Sequence, residues 1–238
     1  MLGMTGGCAK LFSALSLCFC VESFFDARYL DTTANEVDPA RHTAMMIPLW
    51  FKIVETVFVA IVVVVYARTW GWANFLWFSD IALILSVPAL WLESPLLASM
   101  MALAVLLADG LWNVSYFAQL ATGKRVIGLS DYMFDASKPR WLRALSLFHV
   151  WLPLLLLWMV AKLGYAHEAL IGMTLLCWVV LGICYSFTDP EENINWVFGF
   201  GGKRQVRRSA RMHLLLVMAA FPLLVYLPTH ALLIALFG

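Results

Sequence analysis

The chain is 238 residues long, with Ala, Val, Ile, Leu, Met, Phe, Trp, Tyr and Cys making up 63% of it and Asp, Glu, Lys and Arg only 13%. Soluble domains average about 45–50% apolar and about 25% charged residues, so this chain has too few polar groups to cover a water-soluble sphere. A net charge of +1 gives no case for nucleic-acid binding. The composition points to an all-α, many-pass membrane protein and excludes a soluble enzyme, a disordered chain and a disulfide-stapled module.

Residues 1–45 stand apart from a bundle over residues 46–238. The run from Leu11 to Phe25 is apolar but only fifteen residues long, follows Lys10 and is broken by Glu22. It suits a signal-peptide core, a short seventh span or an interfacial helix. Residues 26–44 are polar and lack a periodic apolar face, and a start at Met45 or Met46 is a further reading.

A spanning helix needs about 20 mostly apolar residues. Six runs meet that length: 46–67, 73–92, 96–120, 143–162, 167–188 and 212–235. Backbone in lipid must satisfy its own hydrogen bonds, so these are expected to be helices. Eleven Lys and Arg fall on one side of the bundle: Arg68, five in the loop at 121–142 and its border, and five in the loop at 189–211. That side is expected to be cytoplasmic in a cell membrane. The basic stretch Lys203–Arg211 suits anionic headgroups, although fixing topology alone accounts for it.

Ionisable groups inside spans are costly and are functional hypotheses by default. Ser79 and Asp80 fall seven to eight residues into the second run, and His149 lies seven residues into the fourth. Asn113 lies near the cytoplasmic end of the third run, with Asp109 one turn deeper on the same face. Tyr185 ends the fifth run, and Asn193 and Asn195 follow it. These residues are expected to form one polar layer facing the cytoplasmic leaflet. In chemical terms Ser79 would be a nucleophile, His149 its base, and Asp80 or Asp109 the acid that orients the imidazole. Asn113 and Asn195 would contact an oxyanion or headgroup, with Asn193 and Tyr185 beside them as substrate contacts. Cys184 is a weaker nucleophile, since nothing nearby lowers its pKa. A second layer near the other face holds Lys52, Glu55, Glu93 and His230. There the i, i+3 spacing lets Lys52 and Glu55 pair.

The five cysteines include no CxxC pair, and no His spacing matches a metal motif. No metal and no cofactor is expected, membrane lipids are the expected partners, and the oligomeric state is left open.

The segments FLWFSDIALILS (75–86), SLFHVWLPLLLLW (146–158), ENINWVFGF (192–200) and LLLVMAAFPLLVYLP (214–228) together resemble YwaF-like bacterial integral membrane proteins over about residues 73–230. Animal relatives of that family are similar to acyltransferases that act on ether phospholipids with a Cys and a His. By position the resemblance puts the Cys at Ser79, the acid at Asp80, the His at His149 and the Asn at Asn195. Ser79 replaces the thiol, Val150 a Gly and Trp196 a Tyr. WLESPLL (91–97) and DYMFD (131–135) also match an uncharacterised bacterial membrane family. The resulting expectation is a membrane-embedded acyl transferase or acyl hydrolase. The alternatives are a transporter or small-molecule binder built on an Asp/His intramembrane site, and a structural subunit of a membrane complex.

Overall fold

The computed structural model describes residues 47–200 and 209–238. Every regular element among them is helical. We number the six long helices α1 (Leu49–Thr69), α2 (Phe78–Leu92), α3 (Pro95–Thr122), α4 (Phe148–Leu163), α5 (Ala169–Phe187) and α6 (Ala210–Phe237). Five segments are long and apolar enough to cross a membrane, α4 being counted with the short helix Arg140–Leu145 that leads into it; α2, at 15 residues, is shorter. The expected N-terminal span lies outside the described residues.

Helix α3 is the hub. Ten consecutive residues, Leu96 to Val105, are buried, the pattern of a helix surrounded by others. Within its most apolar window 67% of α3 is buried, against 17% for α6, so α3 is central and α6 lies at the periphery. It packs on α2, α4, α5 and the C-terminal part of α6. Small residues allow these close approaches: a Cβ added at Gly172 of α5 would lie 2.9 Å from Sδ of Met100 on α3.

Local chemistry sets the helix ends. Ser94 accepts from the Leu97 amide and Pro95 occupies the first turn of α3, a favourable start because that proline removes no intrahelical bond. Ser209 caps α6 in the same way. Pro222 lies in a π-helical stretch of α6 (Phe221–Tyr226), where the missing N–H is absorbed by the wider winding.

Two starts differ from the sequence reading. The second apolar run opens with a 3₁₀ turn, Trp72–Leu76, and Trp77 is extended, so α2 begins only at Phe78. In the fourth run, Ser146 and Leu147 separate the helix Arg140–Leu145 from α4. Ser79, Asp80 and His149 therefore lie in the first turns of α2 and α4, not two turns inside them.

Candidate functional site

The N-terminal turns of α2 and α4 meet the second half of α3 at the end of the bundle that carries the 121–142 loop. Asp80 lies in the first turn of α2, where the helix dipole favours an anion. It is buried, within electrostatic reach of the Asp109 carboxylate on α3. Asp109 Oδ1 is 3.1 Å from Nδ1 of His149 on α4. Asn113, one turn after Asp109, donates to the main-chain oxygens of Asp109 (2.8 Å) and His149 (2.7 Å). The amide thus ties α3 to the start of α4 and fixes the Asp109–His149 pair.

Aromatic rings close the cluster. The His149 imidazole stacks between Trp112 and Phe148, with centroids 4.7 and 4.2 Å away. Tyr66, near the end of α1, shares a 2.7 Å hydrogen bond with Ser146 just before α4. The DYMF turn at 131–134 folds back over this end. Tyr132 packs near Trp112, and Phe134 lies against Tyr116. Ser130 and the Gly128 amide both donate to the buried Ser115 hydroxyl of α3 (3.1 and 3.2 Å), and Arg143 donates to the Met133 carbonyl. Burial pushes the Tyr132 phenol well above its ordinary value; the Ser146 hydroxyl opposes this and the nearby Asp80 adds to it.

The site has a surplus of acceptors. Asp80 Oδ1, Asp109 Oδ2 and Asn113 Oδ1 are all buried without a hydrogen-bond partner among the described residues. Buried polar atoms are normally paired, and each exception calls for a physical reason. Three acceptors against one unpartnered donor, Trp112 Nε1 on the ring beside His149, make this a locus for a proton or a positively charged, donor-bearing guest. Among the described residues no group of three His, Cys, Asp or Glu side chains is placed to hold a metal ion.

The structure brings together Asp80, Asp109, His149 and Asn113, and leaves the other expected site residues elsewhere. Ser79 is only partly buried, and among the described residues no hydrogen bond joins it to His149; Asp109 holds Nδ1 of that imidazole, the contact expected of an orienting acid. Among the described residues, the acyl-transfer scheme thus has its acid–imidazole contact but no hydrogen bond from Ser79 to the imidazole. Asn195 is a clamp. Its amide nitrogen donates to the Leu76 carbonyl (2.7 Å) and its oxygen accepts from the Phe78 amide (3.4 Å), fixing the start of α2. Asn193 is spent on its own loop, donating to Gly199 and accepting from Phe198. Neither has an amide left over for an oxyanion. Tyr185 stacks on Phe198, 5.4 Å between centroids, and makes no hydrogen bond among the described residues. Cys177 and Cys184 are both buried thiols without a disulfide among the described residues, and the Asn195 amide also approaches the Cys184 sulfur (3.7 Å).

The second layer is also rearranged. Lys52 pairs with Glu93 (2.8 Å), which ends α2 in a left-handed conformation, and not with Glu55. Glu55 instead meets the Ser86 hydroxyl (2.8 Å), and His230 meets Tyr165.

Sequence reasoning missed Tyr66, Trp112, Tyr132 and Ser146. A signal was present for Trp112, which stands three residues after Asp109 in α3 and so on its helical face. The others depend on long-range packing. No family model matches this chain, and no curated protein or solved structure does. The roles implied by the YwaF-like resemblance rest on motif positions alone.

Proposed function

We propose that the protein is a membrane-embedded binder or transporter of a small cationic solute, linked to protons through Asp80, Asp109 and His149. The observation that carries this reading is the acceptor surplus: three buried oxygens, on Asp80, Asp109 and Asn113, without a donor among the described residues. A guest bearing N–H groups and one positive charge satisfies these oxygens and offsets the charge of the acid pair. A proton does so when the guest is absent. Intramembrane acids next to a histidine are the groups that proton-linked carriers use. The site lies at the end of the bundle where Lys and Arg concentrate, which we infer faces the cytoplasm, with both the 121–142 and 189–211 loops on that side. The cell membrane is the inferred location, and α2, lengthened by the turn Trp72–Leu76, serves as the sixth crossing.

The acyl-transfer expectation lacks its nucleophile–base contact, and we do not adopt it. The test uses the full chain in proteoliposomes with an entrapped pH dye. Methylammonium, guanidinium, tetramethylammonium and potassium are added in turn. A dye response to methylammonium or guanidinium that exceeds the response to tetramethylammonium and potassium, and that disappears in Asp80→Asn and Asp109→Asn, supports the proposal. A wild-type protein silent to all four, or variants that respond like it, overturns it.

A further inference from the structure

A second feature lies toward the opposite end of the bundle, between α1 and α4. These helices make few backbone approaches, and two aromatic pairs bridge them: Phe51 with Trp158 (5.4 Å) and Phe58 with Trp151 (5.2 Å). Between the bridges lies a groove of about 710 Å³ that opens outward and is walled by Val54, Leu154 and Leu155 as well as these rings. That volume falls within the range of about 300–1,000 Å³ typical of small-molecule sites. Among the described residues, the only ionisable one lining it is Glu55, about 9 Å along α1 from Leu49 at 1.5 Å per residue.

Glu55 is 4% exposed, so its carboxyl is confined to the groove and the contact with α2. Its Oε1 is 2.8 Å from the Ser86 hydroxyl; the other oxygen has no hydrogen bond among the described residues. Among the described residues no cation pairs with it. Lys52, one turn away, is committed to Glu93 at 2.8 Å. A buried carboxylate without a counter-charge is costly. An apolar slot with one uncompensated acid is complementary to an alkyl chain ending in a cation.

We propose that this groove binds a single-chain cationic amphiphile, a long-chain amine, with its ammonium on Glu55 and its tail between Phe58, Trp151 and Leu154. This site is separate from the Asp80 cluster and does not depend on the function proposed for it. Charge complementarity selects an amine over an alcohol or an alkane of equal length. The aromatic bridges act as gateposts, since either pair must remain closed for the tail to be held laterally.

The test is photolabelling of the full chain in phosphatidylcholine nanodiscs with hexadecylamine carrying a diazirine in its tail. Labelled residues are read by mass spectrometry. Labelling is expected on Phe58, Trp151 or Leu154. Because hydrogen bonds to charged groups are the strong ones, Glu55→Gln is expected to lower labelling about tenfold. Unlabelled hexadecylamine is expected to compete, and hexadecanol and hexadecane to leave most of the signal. Leu154→Trp fills the groove from an exposed position and is expected to abolish labelling while the protein stays folded. This second variant decides the matter if Glu55→Gln fails to fold. Competition by hexadecanol or hexadecane equal to that of the amine overturns the proposal. So does labelling of Leu154→Trp at the wild-type level, or labelling confined to residues off the groove, including residues 1–46.

Discussion

Asp109 of α3 and His149 of α4 meet at 3.1 Å, while Asn113, one turn further along α3, donates to the main-chain oxygen of that same histidine. The side chain and the backbone of His149 are thus both fixed by a single face of α3. Such a double tie fixes the Asp109 carboxylate within electrostatic reach of the buried Asp80, with measurable consequences.

The first concerns coupling. Hydrogen bonds between membrane helices contribute about 0.6 kcal/mol on average, and up to about 1.7. A double-mutant cycle of Asp109→Asn and His149→Gln, read by unfolding in detergent mixtures, is expected to give an interaction energy in the upper part of that range. Strictly additive losses would mean that the two side chains do not act on each other.

Asn195 offers a separate check on the clamp. It holds φ at 50°, a conformation that Gly and Asn adopt more readily than other residues. Asn195→Gly keeps the backbone and loses both side-chain bonds; Asn195→Ala loses the bonds and adds backbone strain. Both are expected to lower stability by about 1–3 kcal/mol, with Ala the worse by about 1 kcal/mol. Thermal melts that rank Gly below Ala would remove the strain argument.

Tyr132 carries the pH prediction. Burial raises its phenol above the ordinary value, so the folded loop holds the proton more tightly than the unfolded one. The sign follows from linkage: its stabilising contribution is complete below the ordinary tyrosine pKa of about 10. That contribution declines as pH rises above this value toward the raised one. Loop docking followed by hydrogen exchange at Gly128–Phe134 is expected to loosen at alkaline pH in the wild type. Tyr132→Phe is expected to flatten that dependence; an unchanged alkaline loosening in this variant would place its origin elsewhere.

Packing between α3 and α5 can be tested by size. Gly172→Val forces atoms toward Met100, and overpacking of this kind costs about 1–3 kcal/mol. Met100→Ala in the same chain is expected to restore much of the loss, because the obstructing atoms are at the end of that side chain. Failure of the double variant to recover any stability would contradict the contact.

Much of the fold was legible from the chain itself, for identifiable reasons. Long apolar runs mark helices because lipid leaves the backbone no other partner, and Ser94-Pro95 marks the start of α3 by its own hydrogen-bond chemistry. Asp80, Asp109 and His149 were legible as a group because charge inside an apolar run is costly wherever it occurs. The depth of Ser79 was not legible. Trp77 looks like a continuation of an apolar run, but it is extended, and its neighbours are fixed by Asn195, which lies more than a hundred residues later in the chain. Spacing along one helix suggested that Lys52 pairs with Glu55. The end of α2 supplies Glu93 instead, a competitor that no local pattern reveals. Tyr66 and Tyr132 reach the cluster only through the way α1 and the 121–142 loop fold over it.

In the proposed function the acid pair and His149 exchange protons for a small cation. Ser79 is outside that exchange, so Ser79→Ala is expected to behave as the wild type. The most direct measurement is the number of protons released into a weakly buffered suspension of the lipid-reconstituted protein when methylammonium or guanidinium binds. Release is expected from the wild type and from Ser79→Ala, and none from the double variant Asp80→Asn, Asp109→Asn. Release that persists in the double variant, or that is lost in Ser79→Ala alone, would contradict it.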